Sequence, residues 1–486
     1  MDQTRRTFLA SAAASAAAGA AIVMTGGCVR KSRVSPTSNG GVVVNDVHAQ
    51  LSETTVREIA RPTSTQELAA LLHEPASVCG GRYTSGGQPF LTGERLIDLQ
   101  QFGRPIRVDR ERGLVVAQAG TRWPTLVEYL NDAAPEWAIR QKQSGADQVS
   151  LAGTISVNAH GRCLAAPPIV ADIEALELVD PDGTMTPCDR TTNADRFFKV
   201  IGGYGLFGMI ATVTLQLVPR VKLRRVVRHV DASNVVALLD EAAARGAAYG
   251  DFHLDIDDSA DTFLTRGLML TYEPADDDEP ITRPPADLTQ FQQLATFAHV
   301  DKPRAWAGYR QSLLDAGPQV DFNDAWQSAE YVPGYHAATD AAVGASVRGS
   351  EVLSEFYVPR ESLAAFLEQT AGELRAANAN MIYGNVRLIE PDTETALPWA
   401  TKRMACIVMN LHCDHNDAGI AIVRDAFRRV LDRAIALGGT YYLAYHSFAR
   451  KDQVLACFPQ LPELLREADG PCGSDWKNAY DAMLNG

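Results

Sequence analysis

From about Val42 to Arg220 the chain alternates short β-rich runs with runs whose apolar residues recur at helical spacing. "TSTQELAALLHE" (Thr63–Glu74) opens on Ser/Thr caps before an apolar helical face. "LVVAQAG" (Leu114–Gly120) reads as a strand, and "TRWPTLVEYLNDA" returns to helix. "IEALELVDPDGTMTPC" is a strand, a Pro-Asp-Gly turn and a second strand. "MIATVTLQLVP" alternates as a half-buried strand and stops at Pro219.

From about Val221 the pattern changes. "YGDFHLDID" and "TRGLMLTYEP" read as strands and lead into an Asp/Pro-rich insert, Ala275–Pro285. A polar region containing Trp306 and Trp326 follows, to about Tyr335. Strands then alternate with long amphipathic helices: "SEFYVP", the helix "RESLAAFLEQTAGELRAA", "IYGNVRLIEP", "CIVMNLHCD", the helix "GIAIVRDAFRRVLDRAIALGG" and "TYYLAYHSFA". This order predicts an antiparallel sheet with helices on one face, an α+β second domain. No internal repeat is present.

Composition narrows the function. The 486 residues suffice for two or three domains. A net charge of −14 argues against nucleic acid as a partner, which needs a basic face. The eight cysteines form no CxxC pair, so zinc ribbons and thioredoxin-like chemistry fall away. "LHCDH" (Leu411–His415) offers metal-ligand residue types, but no second cluster accompanies it, so no metal site is predicted.

At the N-terminus, "TRRTFLA" (Thr4–Ala10) places two arginines before Phe-Leu and an Ala-rich apolar run. This resembles a twin-arginine export signal, a route for proteins that fold around a cofactor before export. Cys28 stands where a lipoprotein signal has its acylated cysteine, although Thr25 replaces the usual leucine. A lipid tether to the membrane and a plain cleaved signal both stay open. The expected division is a signal at 1–28, a polar tether at 29–44, a first domain at 45–220, a second at 221–440 and a C-terminal segment at 441–486. The expected location is the periplasm or cell envelope.

Three glycine-rich stretches carry the candidate chemistry. "CGGRYTSGGQ" (Cys79–Gln88), taken alone, is an ordinary turn or a phosphate cradle, because glycine lets successive N–H groups converge on one anion. It has neither the spacing of a Rossmann fingerprint nor a Walker lysine, which removes NAD and P-loop readings. "SGADQVSLAGTISVNAHGR" (Ser144–Arg162) and "IGGYGLFGMI" (Ile201–Ile210) follow, each beside a strand. As a set they resemble the FAD domain of the vanillyl-alcohol oxidase and p-cresol methylhydroxylase (PCMH) flavoproteins, over roughly residues 45–220 and more loosely the last fifty.

The resemblance implies an α+β protein: a two-subdomain PCMH-type FAD-binding domain plus an antiparallel-sheet substrate, or cap, domain. It implies FAD as cofactor. The backbone of Gly80, Gly81, Arg82, Tyr83, Thr84 and Ser85 would wrap the pyrophosphate, with Gly120 approaching it. Ser144, Gly145, Leu151, Gly153 and Thr154 would line the phosphate–ribityl side, near Asn158, His160 and Gly161. Gly203, Gly208 and the backbone of Ile210 would hold the adenine side. Many relatives attach a histidine of the first loop to the flavin; Tyr83 stands there instead, so FAD is expected to bind without that bond.

On the substrate side, "NVRLIEPDTETALPW" resembles the strand of polyol and sugar oxidases that presents a catalytic arginine, here Arg387, with Asn385 replacing a glutamate found in some. "YYLAYHSFARK" resembles the strand that places a lysine over the flavin, a position taken by Tyr445. Tyr442, Tyr445 and His446 are the base or orienting candidates; Asn410 and His412 share one strand face by the two-residue period. The expected activity is oxidation of a CH–OH group in a sugar, polyol or similar small molecule, with oxygen or an electron carrier as acceptor. The His-Trp-Gly-Lys of aldonolactone oxidases and the Tyr-x-Asn-Tyr of berberine-bridge-type enzymes are absent. Oxidation of a C–N bond, as in cytokinin dehydrogenases, and a flavin-free binding protein are the alternatives.

Overall fold

In a computed structural model the chain is described over residues 40–48, 51–329, 332, 334–468 and 470–486, with the backbone of Ser35–Pro36. The export signal, Cys28 and most of the tether lie outside the described residues. Val42–Val44, where the β-rich pattern begins, forms a strand against Thr54–Val56, with Val44 buried.

Besides that short N-terminal sheet, the first half contains two more. Glu58–Ala60, Arg95–Asp98 and Ala76–Cys79 form a parallel three-stranded sheet. A six-stranded antiparallel sheet carries Met185–Asp189, Ile173–Val179, Met209–Pro219, Leu114–Gln118 and Pro105–Asp109 in that order, with Trp137–Ile139 paired to the long Met209 strand. The elements expected from alternation are present: helix Thr65–Leu71 starts on Ser64, whose hydroxyl accepts from the Glu67 amide. The Pro-Asp-Gly turn joins the predicted hairpin.

The second half is built on one eight-stranded antiparallel sheet. Its order is Gln319–Phe322, Lys222–Asp231, Arg266–Pro274, Tyr249–Leu254, Met381–Ile389, Met404–Asp414, Gly349–Pro359 and Thr440–Tyr441. Helices Ala232–Ala244, Leu363–Ala376 and Asp417–Ala436 cover one face, as the pattern predicts. Phe356 meets Phe366 and Phe427 there, with ring centroids 6.3 and 5.2 Å apart. The protein is therefore α+β, an FAD-domain-like half joined to a sheet-rich half.

One unassigned region gains structure and one expectation changes. The polar Trp-containing region is largely helical, with Leu288–Val300 and Lys302–Asp315 packed on the outer strands around Trp306 and Trp326. "TYYLAYHSFA" is a strand only at Thr440–Tyr441; it leaves the sheet after pairing with Phe356 and Tyr357. Tyr442, Tyr445 and His446 consequently stand on a loop. Gln88 Nε2 pins that loop by donating to the Leu443 carbonyl at 3.2 Å, and Gly473 and Asp475 bring the C-terminus back to Ala76 and Phe90.

Candidate active site

The first glycine loop leaves the end of strand Ala76–Cys79, and the second precedes helix Leu151–Ser156, whose N-cap is Ser150. The two loops touch. A Cβ at Gly80 would lie 2.0 Å from Ser150 Oγ, so only glycine permits this approach. Gly145 has a different reason to be glycine: the space around it is open, but its φ of +127° is a conformation that side chains disfavour. Together the loops wall a cleft of about 1330 Å³, open mouth included.

This cleft gathers most of the predicted residues. Gly80, Gly81, Arg82, Tyr83, Thr84, Ser85, Ser144, Gly145, Gly153, Thr154 and His160 line it, and so do Arg387, Tyr442 and Tyr445 from the second half. Val78, Leu99, Val149, Val157 and Tyr204 make much of the wall apolar. Ser144 Oγ and Arg387 Nε are buried lining atoms without a hydrogen-bond partner among the described residues. A long, glycine-walled, partly apolar slot with orphaned donors fits a flavin dinucleotide.

Other predicted residues have different places. Gly120 packs against the carbonyls of Leu99 and Phe102, and Gly203 against that of Lys199, so their small size serves backbone packing. Leu151 is a core residue, Gly161 lies over Lys142, and Gly208 and Ile210 begin the long strand behind the cleft. Asn158 donates to Asp392 Oδ2 at 2.9 Å and accepts from the Val170 amide, tying the two halves together. From the third loop it is Tyr204 and Gly205 that reach the cleft wall. His446 and His412 are not among the lining residues. His446 stacks on Phe448, and burial, then the nearby His415, lower its pKa from 6.5 to about 4.

The centre of the site is a residue that the sequence pattern did not single out. Glu355 is buried on strand Gly349–Pro359 and lines the cleft. Its Oε1 accepts from the Tyr445 hydroxyl at 2.9 Å. Its Oε2 accepts from the Tyr357 hydroxyl at 2.8 Å and faces His160 Nε2 at 3.2 Å. Burial opposes ionisation of Glu355, but His160, Arg387 and the Tyr357 hydroxyl outweigh it and hold the carboxyl below its usual range. Burial, reinforced by the Glu355 charge, raises Tyr445 well above the ordinary tyrosine value. Glu355 and Asn385 both pair opposite Val408, so Glu355 occupies the same row of the sheet as the asparagine that replaces the relatives' glutamate. The available signal was a glutamate in an otherwise apolar strand, "VLSEFYVP".

Tyr442 donates to the Val157 carbonyl at 2.7 Å and thereby locks the loop to the second glycine segment. Tyr83 is half-buried, its ring edge-on to His48 at 6.1 Å, and burial raises its pKa.

Residues 56–189 match the family model described as FAD binding domain. Relatives include L-gulonolactone oxidase of Mus musculus, 28% identical over 34% of this chain and 38% of that protein. Mitochondrial L-galactono-1,4-lactone dehydrogenase of Arabidopsis thaliana is 30% identical over 29% of this chain and 22% of its own length. Cytokinin dehydrogenase 10 of Oryza sativa is 26% identical over 35% and 33%. The aligned part thus spans about a fifth to two fifths of these relatives. The fold and cleft define an FAD-binding domain of the PCMH type. That domain is shared with relatives among the vanillyl-alcohol oxidase/PCMH flavoproteins, and FAD is its cofactor.

Proposed function

We propose that this protein is an FAD-dependent oxidoreductase that oxidises a CH–OH group of a hydroxylated small molecule of the sugar, sugar-lactone or polyol kind. The supporting observation is the buried Tyr445–Glu355–His160 cluster, with Arg387, on the cleft wall opposite the glycine loops. FAD bound there supplies a hydride acceptor. Tyr445 holds its own proton too tightly to act as a free base. Its hydroxyl oxygen can take the substrate's hydroxyl proton only as its proton passes to Glu355, to which it is already bonded. Arg387 stabilises negative charge that develops on the substrate oxygen. Glu355 is held in place by Tyr357 and His160 as it takes up that proton.

Anaerobic mixing of the purified protein with a panel of sugars, aldonolactones, polyols and amines tests this reading. Bleaching of the flavin absorbance by a CH–OH donor is expected; bleaching by amines alone would overturn it. Admission of oxygen afterwards distinguishes an oxidase from an enzyme that uses an electron carrier. FAD is held without a covalent bond, so acid precipitation leaves a colourless pellet and yellow supernatant. The Arg5–Arg6 pair supports export to the cell envelope, and replacing both with lysine is expected to retain the protein in the cytoplasm on fractionation.

A further inference from the structure

The cleft-facing side of the large sheet carries a second knot of polar side chains. Glu351 precedes Glu355 by four residues on the same strand face, about 13 Å along it. It is 2% exposed. Its Oε1 faces His299 Nε2 at 2.9 Å, while Oε2 accepts from the Tyr335 hydroxyl and contacts His336 Nδ1. The His412 ring stands edge-on to that of His299, with centroids 4.8 Å apart. One ligand atom from each of His299, Glu351 and His412 lies within 4.8 Å of the other two. Two helices, Leu288–Val300 and Tyr335–Val343, and two strands converge to build the cluster.

The hydrogen-bond directions are informative. His299 Nδ1 lies 2.7 Å from the Ala295 carbonyl, which accepts only, so Nδ1 carries the ring proton. In the neutral ring Nε2 then points a lone pair at a carboxylate oxygen, and a cation must sit between them. A second ring proton meets that need, and so does a metal ion. A further observation favours the ion: His412 Nδ1 is buried and has no hydrogen-bond partner among the described residues. His412 Nε2 already faces Asp414 Oδ1 at 3.4 Å, which leaves Nδ1 as the nitrogen without a partner.

We propose that His299, Glu351 and His412 bind a divalent transition-metal ion. Imidazole nitrogens with one carboxylate suit Zn²⁺ and its first-row neighbours better than Ca²⁺ or Mg²⁺. A tetrahedral ion with bonds of about 2.1 Å holds its donors roughly 3.4 Å apart, so shifts of about an ångström complete the site. The Nδ1 bond to Ala295 is the outer contact that presents Nε2 to a metal. Leu353, between Glu351 and Glu355, lines the cleft, so the ion stands beside the substrate's path. The sequence segment "LHCDH" lacked a second cluster; the fold supplies it from His299 and Glu351.

The site stands independently of the flavin reaction proposed above. Its test uses the FAD-loaded protein, dialysed against a chelator and titrated calorimetrically with Zn²⁺ alone. One ion per chain is expected, with nitrogen and oxygen neighbours by X-ray absorption. His299→Gln and His412→Asn are each expected to weaken binding at least 100-fold while flavin content and visible circular dichroism stay unchanged. His415→Asn, at a ring bonded to Ser350 Oγ at 2.8 Å, keeps the site. Should a histidine variant lose its flavin, the partly exposed His412→Asn and the wild-type stoichiometry carry the decision. No uptake by the wild type, or equal affinity in a flavin-loaded His299→Gln/His412→Asn double variant, overturns the proposal.

Discussion

The two faces of the eight-stranded sheet use the same strands and are almost equally buried, yet their contents are opposite. Toward the helices point Val352, Phe356 and Val358, then Val386 and Leu388, then Ile407, Met409 and Leu411. Toward the cleft point Glu351, Glu355 and Tyr357, then Tyr383, Asn385 and Arg387, then Asn410 and His412. Each residue differs from its sequence neighbour only by the alternation of a strand. The apolar face gains stability by burying area. The polar face spends burial on charges that must be bonded to one another, as Glu355 is to Tyr357, Tyr445 and His160. Stability should therefore depend on one face and chemistry on the other.

Adjacent residues test this division most directly. Glu355→Gln is expected to slow anaerobic flavin reduction by ~10²–10⁴-fold, with little change in flavin content or melting temperature. Phe356→Ala, one residue on, should do the reverse: a loss of about 3–5 kcal/mol in denaturant unfolding with the reduction rate nearly intact. If both variants lost stability equally and kept their rates, the division would be wrong. Tyr445→Phe should have a smaller effect. It removes one hydrogen bond to a charged group, about 1.5–3 kcal/mol, and so slows reduction roughly 10- to 100-fold. A rate equal to wild type would remove Tyr445 from the proton path and leave Glu355 to act alone.

How far the sequence could be read follows the same division. The Phe356 and Ile407 face was legible because alternating apolar residues beside amphipathic helices have few other arrangements. The glycine loops were legible as a set, since three such loops beside strands are rarer than one. Glu355 was not. Its identity depends on Tyr445 and His160, which lie 90 and 195 residues away in the chain. The same holds for Glu351, whose partners His299 and His412 come from other elements. Gly203 misled for the converse reason: glycine at a cofactor and glycine under a helix carbonyl look alike in one dimension. The Tyr442–His446 loop was read as strand because its aromatic residues favour strands; the sheet edge ends at Tyr441 and the chain turns into the cleft.

The smallest expected effect concerns pH and separates the loop beyond the sheet edge from the helix-covered face. His446 is buried on the loop beyond the sheet edge, against Phe448, with both ring nitrogens lacking a hydrogen-bond partner among the described residues. Burial, with His415 adding to it, lowers its pKa from 6.5 to about 4. Between those values the unfolded chain takes up a proton that the folded chain refuses, so stability falls as pH falls. The loss from this one residue is about 2 kcal/mol between pH 7 and 5 and roughly 3 kcal/mol once pH reaches 4. His446→Phe keeps a ring against Phe448 and removes the titration, so its unfolding free energy should change less over pH 7 to 5 than that of the wild type. Phe366→Leu, on the helix-covered face, should lower stability at every pH and leave the slope as it was. Urea unfolding of the three FAD-loaded proteins at pH 7, 6 and 5 measures this. A wild-type slope retained in His446→Phe would mean that the acid sensitivity resides in other groups.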